Sequence, residues 1–353
     1  MTAAGAVRPF SARVVRQDWA ARAAAPMADA LAPGERQRRE PVPSSAYGEE
    51  RRSLFVYRIR NGAGDHVGVI AGVRLDAFAD GRVRGHESVE PHRVEALVAL
   101  YADQPTRSEP VALLHDQPAE ATALVGKVTA TEPLLTFPGP DGNEHTLWPV
   151  DDDVADELAD ALGDGVHYIA DGHHRVAARL QAWEAAGRPA EGAVLCVLYP
   201  LDGLRLSSFH RRVVGPVDAD ALVQAATKDF DVAEGAPHGD GIALYADGRW
   251  WRLLVRPGTR PDGVAGLDVT LLQECLLGPV LGITGREHPR LEVHPDHVPI
   301  GMLTARCDED GGALFVLQPP TLAALIRVAD LGEQMPPKST YFSPKPCAGI
   351  FLV

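Results

Sequence analysis

The sequence predicts an α/β fold, a mixed sheet of α+β character, divided into two lobes. Three observations predict it. A chain of 353 residues exceeds the roughly 100–200 residues of one domain. Apolar strand-like runs lead straight into helix starts, as in VHYIAD followed by GHHRVAARLQAWEAAG. Hairpin patterns occur beside these strand–turn–helix units, so neither a purely parallel nor a purely antiparallel sheet accounts for the chain.

Residues 11–50 are rich in Ala and Arg and broken by Pro26, Pro33, Pro41 and Pro43. Asp18 to Leu31 carries helical spacing, and Ala32 to Glu50 reads as a linker. LFVYRIR, the turn NGAGD and VGVIAGVRL form a hairpin, and LDAFADGRV closes that unit. Pro91 to Tyr101 is helical, and Pro110 to His115 is a strand. Asp151 to Leu162 is an acidic helix with Asp151 or Asp152 as N-cap. VHYIAD is a short buried strand, and the helix after it ends at Gly187. AVLCVLYP and LRLSSFHRRVVG are strands, and residues 218–230 are a helix. ALYADGRWWRLLVR turns at Asp247-Gly248. LDVTLLQECLLGPVLGI is a helix, LFVLQP a strand and 321–332 a helix, before the tail MPPKSTYFSPKPCAGIFLV. The expected division is an arm and linker at 1–50, a core at 51–215, a second α/β lobe at 216–335 and a tail at 336–353 returning to the core.

Hydrophobic residues make up 45% and charged residues 23% of the chain, a globular composition. The net charge is −14, which repels phosphate backbones and argues against nucleic acid as a partner. Val194 to Leu201, eight apolar residues, falls far short of the roughly 20 that a membrane span needs. Cys196, Cys275, Cys307 and Cys347 form no CxxC pair, so reduced thiols and a cytoplasmic location are expected, with no membrane and an oligomer left open.

The densest chemical cluster is Asp171-Gly172-His173-His174-Arg175. It places a carboxylate, two imidazoles and a guanidinium between a strand end and a helix N-terminus, where amides and dipole favour phosphate. Gly172 admits a close backbone approach, and Arg175 offers a planar fork to phosphate oxygens. Asp171 with a histidine would hold hydrated Mg²⁺ or take a proton. The competing structural reading is a capped helix with Asp171 as N-cap. Weaker clusters are His86-Glu87 with His92-Arg93, then His210-Arg211-Arg212 at a strand end, then Lys338-Ser339-Thr340 after two prolines; each also reads as a solvated face. No GxxxxGK[ST], HExxH or GxSxG motif is present. His173-His174 lacks the third near ligand of a structural zinc.

In order, RPFSA, VGVIAGV, GHES, HTLWPVDD, YIADGHHRVAA, FHRRVVG, LDVTLLQE and MPPKSTYFSPK resemble family 1015 of the domains of unknown function, from residue 7 to 353. IADGHHR and MPPKSTYFSPK are the specific motifs. The DGHHR box is also similar to that of the ParB/sulfiredoxin fold as found in free-serine kinases. That resemblance implies a ParB/sulfiredoxin-like core at 51–215, with Asp171, Gly172, His173, His174 and Arg175 handling nucleotide phosphates and Mg²⁺. Resemblance within the family adds His86, Glu87, His210, Arg211, Lys338, Ser339 and Thr340. The chain departs from the family pattern in lacking a Pro-Tyr-Asp box near EPVPSSAYGEE, in Val176 where an aromatic is usual, and in Phe209 before His210-Arg211.

The function so implied is a Mg²⁺-dependent phosphotransferase that uses ATP or ADP, with CTP as a further candidate, on the hydroxyl of a small metabolite such as free serine. Asp171, His174 and Glu87 would be catalytic, with Asp171 the metal ligand. Gly172, His173, Arg175, His210, Arg211, Lys338, Ser339 and Thr340 would hold nucleotide phosphates, and His86 and Arg93 the substrate. The alternative is a ParB-like nucleotide-binding switch with a protein partner; a metal-dependent hydrolase needs more ligands than the sequence places.

Overall fold

The computed structural model describes residues 5–27, 42–103, 108–235, 237, 239 and 241–353. The chain forms two compact units, one of residues 1–85, 89–205 and 344–353, the other of 86–88 and 206–343.

The first unit is built on a mixed sheet. The unit's strands are β1 (Val7–Arg8), β2 (Phe10–Val15), β3 (Tyr47–Ser53), β4 (Phe55–Asn61), β5 (Gly64–Arg74), β6 (Val83–Arg84), β7 (Val111–His115), β8 (Leu135–Pro138), β9 (Glu144–Pro149), β10 (His167–Asp171) and β11 (Ala193–Pro200), of which β2 and β3 lie outside the mixed sheet. The order is β6-β10-β7-β11-β5-β4-β9-β8, with β1 also on β5. β4 and β5 form the expected antiparallel hairpin, with Asn61 opposite Gly64. β10 runs parallel to β6 and antiparallel to β7, while β11 runs parallel to β7. Alternating strand residues such as Val56, Val69, Ala71, Val73, Val111 and Leu113 point into one core, shared with Leu124 and Val128 of the helix Ala119–Thr129 and Leu158 and Leu162 of the helix Asp152–Gly163. A mixed sheet covered by amphipathic helices is the class that the sequence predicts.

Residues 5–27 are not a separate arm. β1 pairs with β5, and β2 pairs with β3 and with the closing strand Phe351–Leu352. Phe10, Phe55 and Phe351 cluster with ring centroids 5.1–5.7 Å apart, pairs worth about 0.5–1.5 kcal/mol each beyond their buried area. Of the expected helix at 18–31, the described part is helical at Ala20–Ala23; residues 28–41 of that helix and the linker lie outside the described residues. Tyr47 to Glu50, expected as linker, belongs to β3.

β12 (Arg205–Ser207) carries the chain into the second unit. There β13 (Phe209–Val213), β14 (Phe230–Glu234), β15 (Ile242–Ala246), β16 (Arg249–Val255), β17 (Leu291–Pro295) and β18 (Ala313–Val316) form a sheet in the order β14-β16-β15-β18-β13-β17. Its pairings are antiparallel, and β15 and β16 turn at Asp247-Gly248, both with positive φ. Leu244, Phe315 and Leu253 pack with Leu222 and Leu276 in one cluster, and Ala243, Leu314 and Val316 pack with Leu303 and Cys307 of the helix Ile300–Asp310 in another. Asp218 caps the helix Ala219–Ala226 by accepting from the Ala221 amide, a bond worth about 1 kcal/mol. The helix expected across 267–283 is α-helical only at Asp268–Leu272; Gln273–Leu277 is a π-turn in which the Gly278 amide reaches the Gln273 carbonyl. Pro279 has no amide to continue an α-helical ladder. The expected lobe boundary near 215 therefore falls at 205/206, and the tail divides, 336–343 lying in the second unit and 344–353 in the first. No helix among the described residues is long and apolar enough to cross a membrane, and Cys196, Cys275, Cys307 and Cys347 are unbridged.

Candidate active site

In the first unit β10 ends at Asp171, and the helix His173–Ala185 begins two residues later. Gly172 makes the turn with φ +110°, a conformation L side chains rarely adopt. Gly172, not Asp171, occupies the N-cap position, which corrects the capped-helix reading. The Asp171 carboxylate instead meets two cations: Arg175 on Oδ2 and Lys345, from the C-terminal segment, on Oδ1. These groups stand at the positive end of a 13-residue helix.

Arg175 differs from its expected part. Its side chain is 1% exposed and its guanidinium donates to the Pro110 carbonyl as well as to Asp171. A buried, doubly engaged fork orients Asp171; it does not present itself to a phosphate in solvent. The cation with an accessible surface is Lys345, 33% exposed. Sequence reasoning missed Lys345, 174 residues away from Asp171; its signal was its place in MPPKSTYFSPK.

His174 also has a structural occupation. Its Nε2 accepts from the Glu90 amide at 3.0 Å, ahead of the helix Pro91–Asp103. This makes it a cap for that helix, with Nδ1 carrying the proton. Arg93 donates to Glu90 at 3.3 Å. His173 lies over Gly85, where a Cβ would stand 3.1 Å from its ring.

The second unit gathers His86, Glu87, His210, Arg211, Lys338, Ser339 and Thr340. Lys338 holds φ +60°, a strained conformation for a non-glycine residue. Two bonds fix it: Glu87 Oε1 accepts from the Lys338 amide at 3.0 Å, and Arg211 donates to the Lys338 carbonyl at 2.8 Å. Lys338 Nζ sits 5.4 Å from the centre of the Phe209 ring. His86 Nε2 and Thr340 Oγ1 are 3.0 Å apart, and Ser339 Oγ donates to the Pro336 carbonyl at 2.6 Å. Burial pushes the His86 imidazole down to about 4, so it is neutral. Burial, reinforced by nearby Arg286, lowers Arg211 to about 10 against the opposing pull of Glu87. Arg286 is a second residue that the sequence reading did not single out. Burial likewise lowers His210. The site residues are thus divided between the units: Asp171, Gly172, His173, His174, Arg175 and Arg93 in one, the remainder in the other.

No cluster of three or more His, Cys, Asp or Glu side chains suited to a metal occurs among the described residues. Asp171 is a single carboxylate between two cations, which does not fit a resident metal cage. It fits only a Mg²⁺ carried by nucleotide phosphates, an ion that commonly takes one or two protein carboxylates.

The sequence profile of a family described as a protein of unknown function (DUF1015) matches residues 47–270. No curated protein matches the chain. Among solved structures, SbnI with a C-terminal truncation from Staphylococcus aureus is similar at 14% identity and TM-score 0.45, over 79% of this chain and 85% of that one. A conserved hypothetical protein from Pyrococcus furiosus is similar at 14% identity and TM-score 0.42, over 80% and 93%. A free serine kinase in complex with AMP is similar at 14% identity and TM-score 0.43, over 78% and 87%.

Proposed function

We propose, from the premise that the chain belongs to the DUF1015 family, that it is a nucleotide-using phosphotransferase acting on the hydroxyl of a small metabolite. Free serine or a similar hydroxy amino acid is the lead acceptor, and ATP or ADP the lead donor. The acceptor class rests on the resemblance of IADGHHR to the box of free-serine kinases. The observation that carries the reading is the Arg175–Asp171–Lys345 group at the start of the helix His173–Ala185. Phosphoryl transfer needs positioning and compensation of charge more than covalent help from the protein.

Lys345 is the phosphate-binding cation, reaching the same oxygens that the helix N-terminus attracts. Binding of a nucleotide draws Lys345 away from Asp171 and leaves that carboxylate, held in place by Arg175, to receive the acceptor's proton. Mg²⁺, when it arrives with the nucleotide, supplies neutralisation of phosphate charge. Within the second unit, Lys338 is by itself a candidate cation for phosphate or a carboxylate, and Glu87 a candidate base.

Two expected proton acceptors are already committed, His174 to the Glu90 amide and Glu87 to the Lys338 amide. That observation favours the second reading, a nucleotide-binding switch with slow hydrolysis and a protein partner. A coupled assay of nucleotide consumption with and without hydroxy amino acids separates them. Acceptor-dependent consumption that Asp171→Asn abolishes supports the kinase. Consumption indifferent to every acceptor, or undiminished in Asp171→Asn, overturns it.

A further inference from the structure

Away from the Asp171 group, the first unit buries a cluster that the proposed chemistry does not use. His145 on β9 places Nε2 3.1 Å from Asp141 Oδ1, and the Tyr57 hydroxyl of β4 hydrogen-bonds its Nδ1. Cys347, from the C-terminal segment, brings its Sγ to 3.5 Å from Tyr57 Oη and 3.9 Å from His145 Nδ1. Tyr57 and His145 are fully buried and Cys347 nearly so. Tyr199, also fully buried, has a hydroxyl without a hydrogen-bond partner among the described residues, and its own ionisation is opposed by burial and by Cys347. The order carboxylate, imidazole, thiol is that of an activated nucleophile, with Asp141 orienting the ring and His145 placed to take the proton.

The electrostatics agree with the geometry. Burial disfavours charge on His145, but the Asp141 carboxylate and the Cys347 sulfur outweigh it and raise the imidazole to about 9. Burial pushes Cys196 up against the pull of Arg175, burial and Asp229 raise Cys275, and burial raises Cys307 against the pull of Arg212. The segment bearing Cys347 is held by reciprocal amide–carbonyl bonds between Ala348 and Ala25, the Gly349 amide on the Ser108 carbonyl at 3.2 Å, the Val15 amide on the Ile350 carbonyl at 3.0 Å, the Phe351 amide on Ser108 Oγ at 3.2 Å, and the pairing of Phe351–Leu352 with β2. Local opening of this segment, at a cost below that of global unfolding, is the route by which peroxide reaches the thiol.

We propose that Cys347 is a redox modification site, oxidised by small peroxides to a sulfenic acid with His145 as its proton shuttle. The thiol proton passes to His145, the sulfur attacks one peroxide oxygen, an S–O bond forms and the O–O bond breaks. The departing hydroxide takes the proton from His145 and leaves as water, so sulfur is oxidised and peroxide reduced. Cys347 lies two residues from Lys345 in the same segment, so an added oxygen in the filled Tyr57–His145 pocket disturbs the segment that places Lys345 on Asp171.

The test treats the folded, full-length protein with hydrogen peroxide, traps sulfenic acid with dimedone and follows each cysteine peptide by mass spectrometry. Cys347 is expected to label at least tenfold faster than Cys275, the only one of the four that is not buried. His145→Gln lowers the Cys347 rate to that of Cys275. Asp141→Asn, at an exposed turn position, gives an intermediate rate and serves if His145→Gln does not fold. Labelling of Cys347 no faster than Cys275, or an unchanged rate in the folded variants, overturns the proposal.

Discussion

At the scale of single residues, the cation that faces solvent decides how phosphate is held. Arg175 and Lys345 share Asp171, but Arg175 is buried against Pro110 while Lys345 is partly open. Lys345→Ala is therefore expected to weaken nucleotide binding about tenfold or more, roughly 1.4 kcal/mol, with little effect on the unfolding midpoint. Calorimetric titration and urea unfolding read the two quantities. Arg175→Ala is expected to lower stability by about 3 kcal/mol, because it removes one of the two cations on a partly buried carboxylate and strands a buried carbonyl. Buried histidines add a pH dependence. His86 and His167 are both held near 4, by burial first and, at His167, also by His115. Each therefore binds a proton less readily folded than unfolded. The unfolded chain takes up more protons between about 6.5 and 4, so stability present above 6.5 is lost as pH falls through that window. Urea midpoints at pH 7 and pH 5 should show the loss, and His167→Gln should reduce it.

Among elements, two backbone conformations matter, one in each unit. A Cβ on Gly172 would stand 2.9 Å from Arg175 Cζ and 3.2 Å from Val111 Cγ2 at φ +110°, so Gly172→Ala should destabilise by about 2 kcal/mol. The Lys338 turn depends on the Glu87 carboxylate. Glu87→Gln keeps an acceptor oxygen and should leave stability nearly unchanged, whereas Glu87→Ala should cost about 1–3 kcal/mol. A Glu87→Gln protein that folds normally but loses turnover would mark Glu87 as a base and not only a clamp. Much of this was legible in the sequence. The strand and helix around DGHHR, the β4–β5 hairpin and the Asp247-Gly248 turn follow from local periodicity and turn chemistry. Local pattern could not say which of three consecutive helical positions turns inward, since that depends on the Pro110 carbonyl just before β7. Nor could it join Lys345 to Asp171, or show that His174 serves the start of another helix.

For the whole molecule, the C-terminal segment matters more than its length suggests. Residues 344–353 contribute Lys345, Cys347 and Phe351 to the first unit, although 206–343 build the second. Removing 344–353 should reduce amide protection in β2, β3 and β5 and leave β13, β15 and β18 protected, as read by hydrogen exchange. Equal loss in both units would show that the division by core does not govern stability. The charge of −14 keeps the partner expectation on small molecules, with phosphate drawn by local cations and a helix terminus and not by the overall field. The most direct measurement is phosphorus NMR of the purified protein with Mg²⁺ and ATP, ADP or CTP against a panel of hydroxy amino acids. A new phosphomonoester resonance that requires one acceptor and disappears in Asp171→Asn is expected. Inorganic phosphate alone, formed at the same rate with every acceptor, would contradict it.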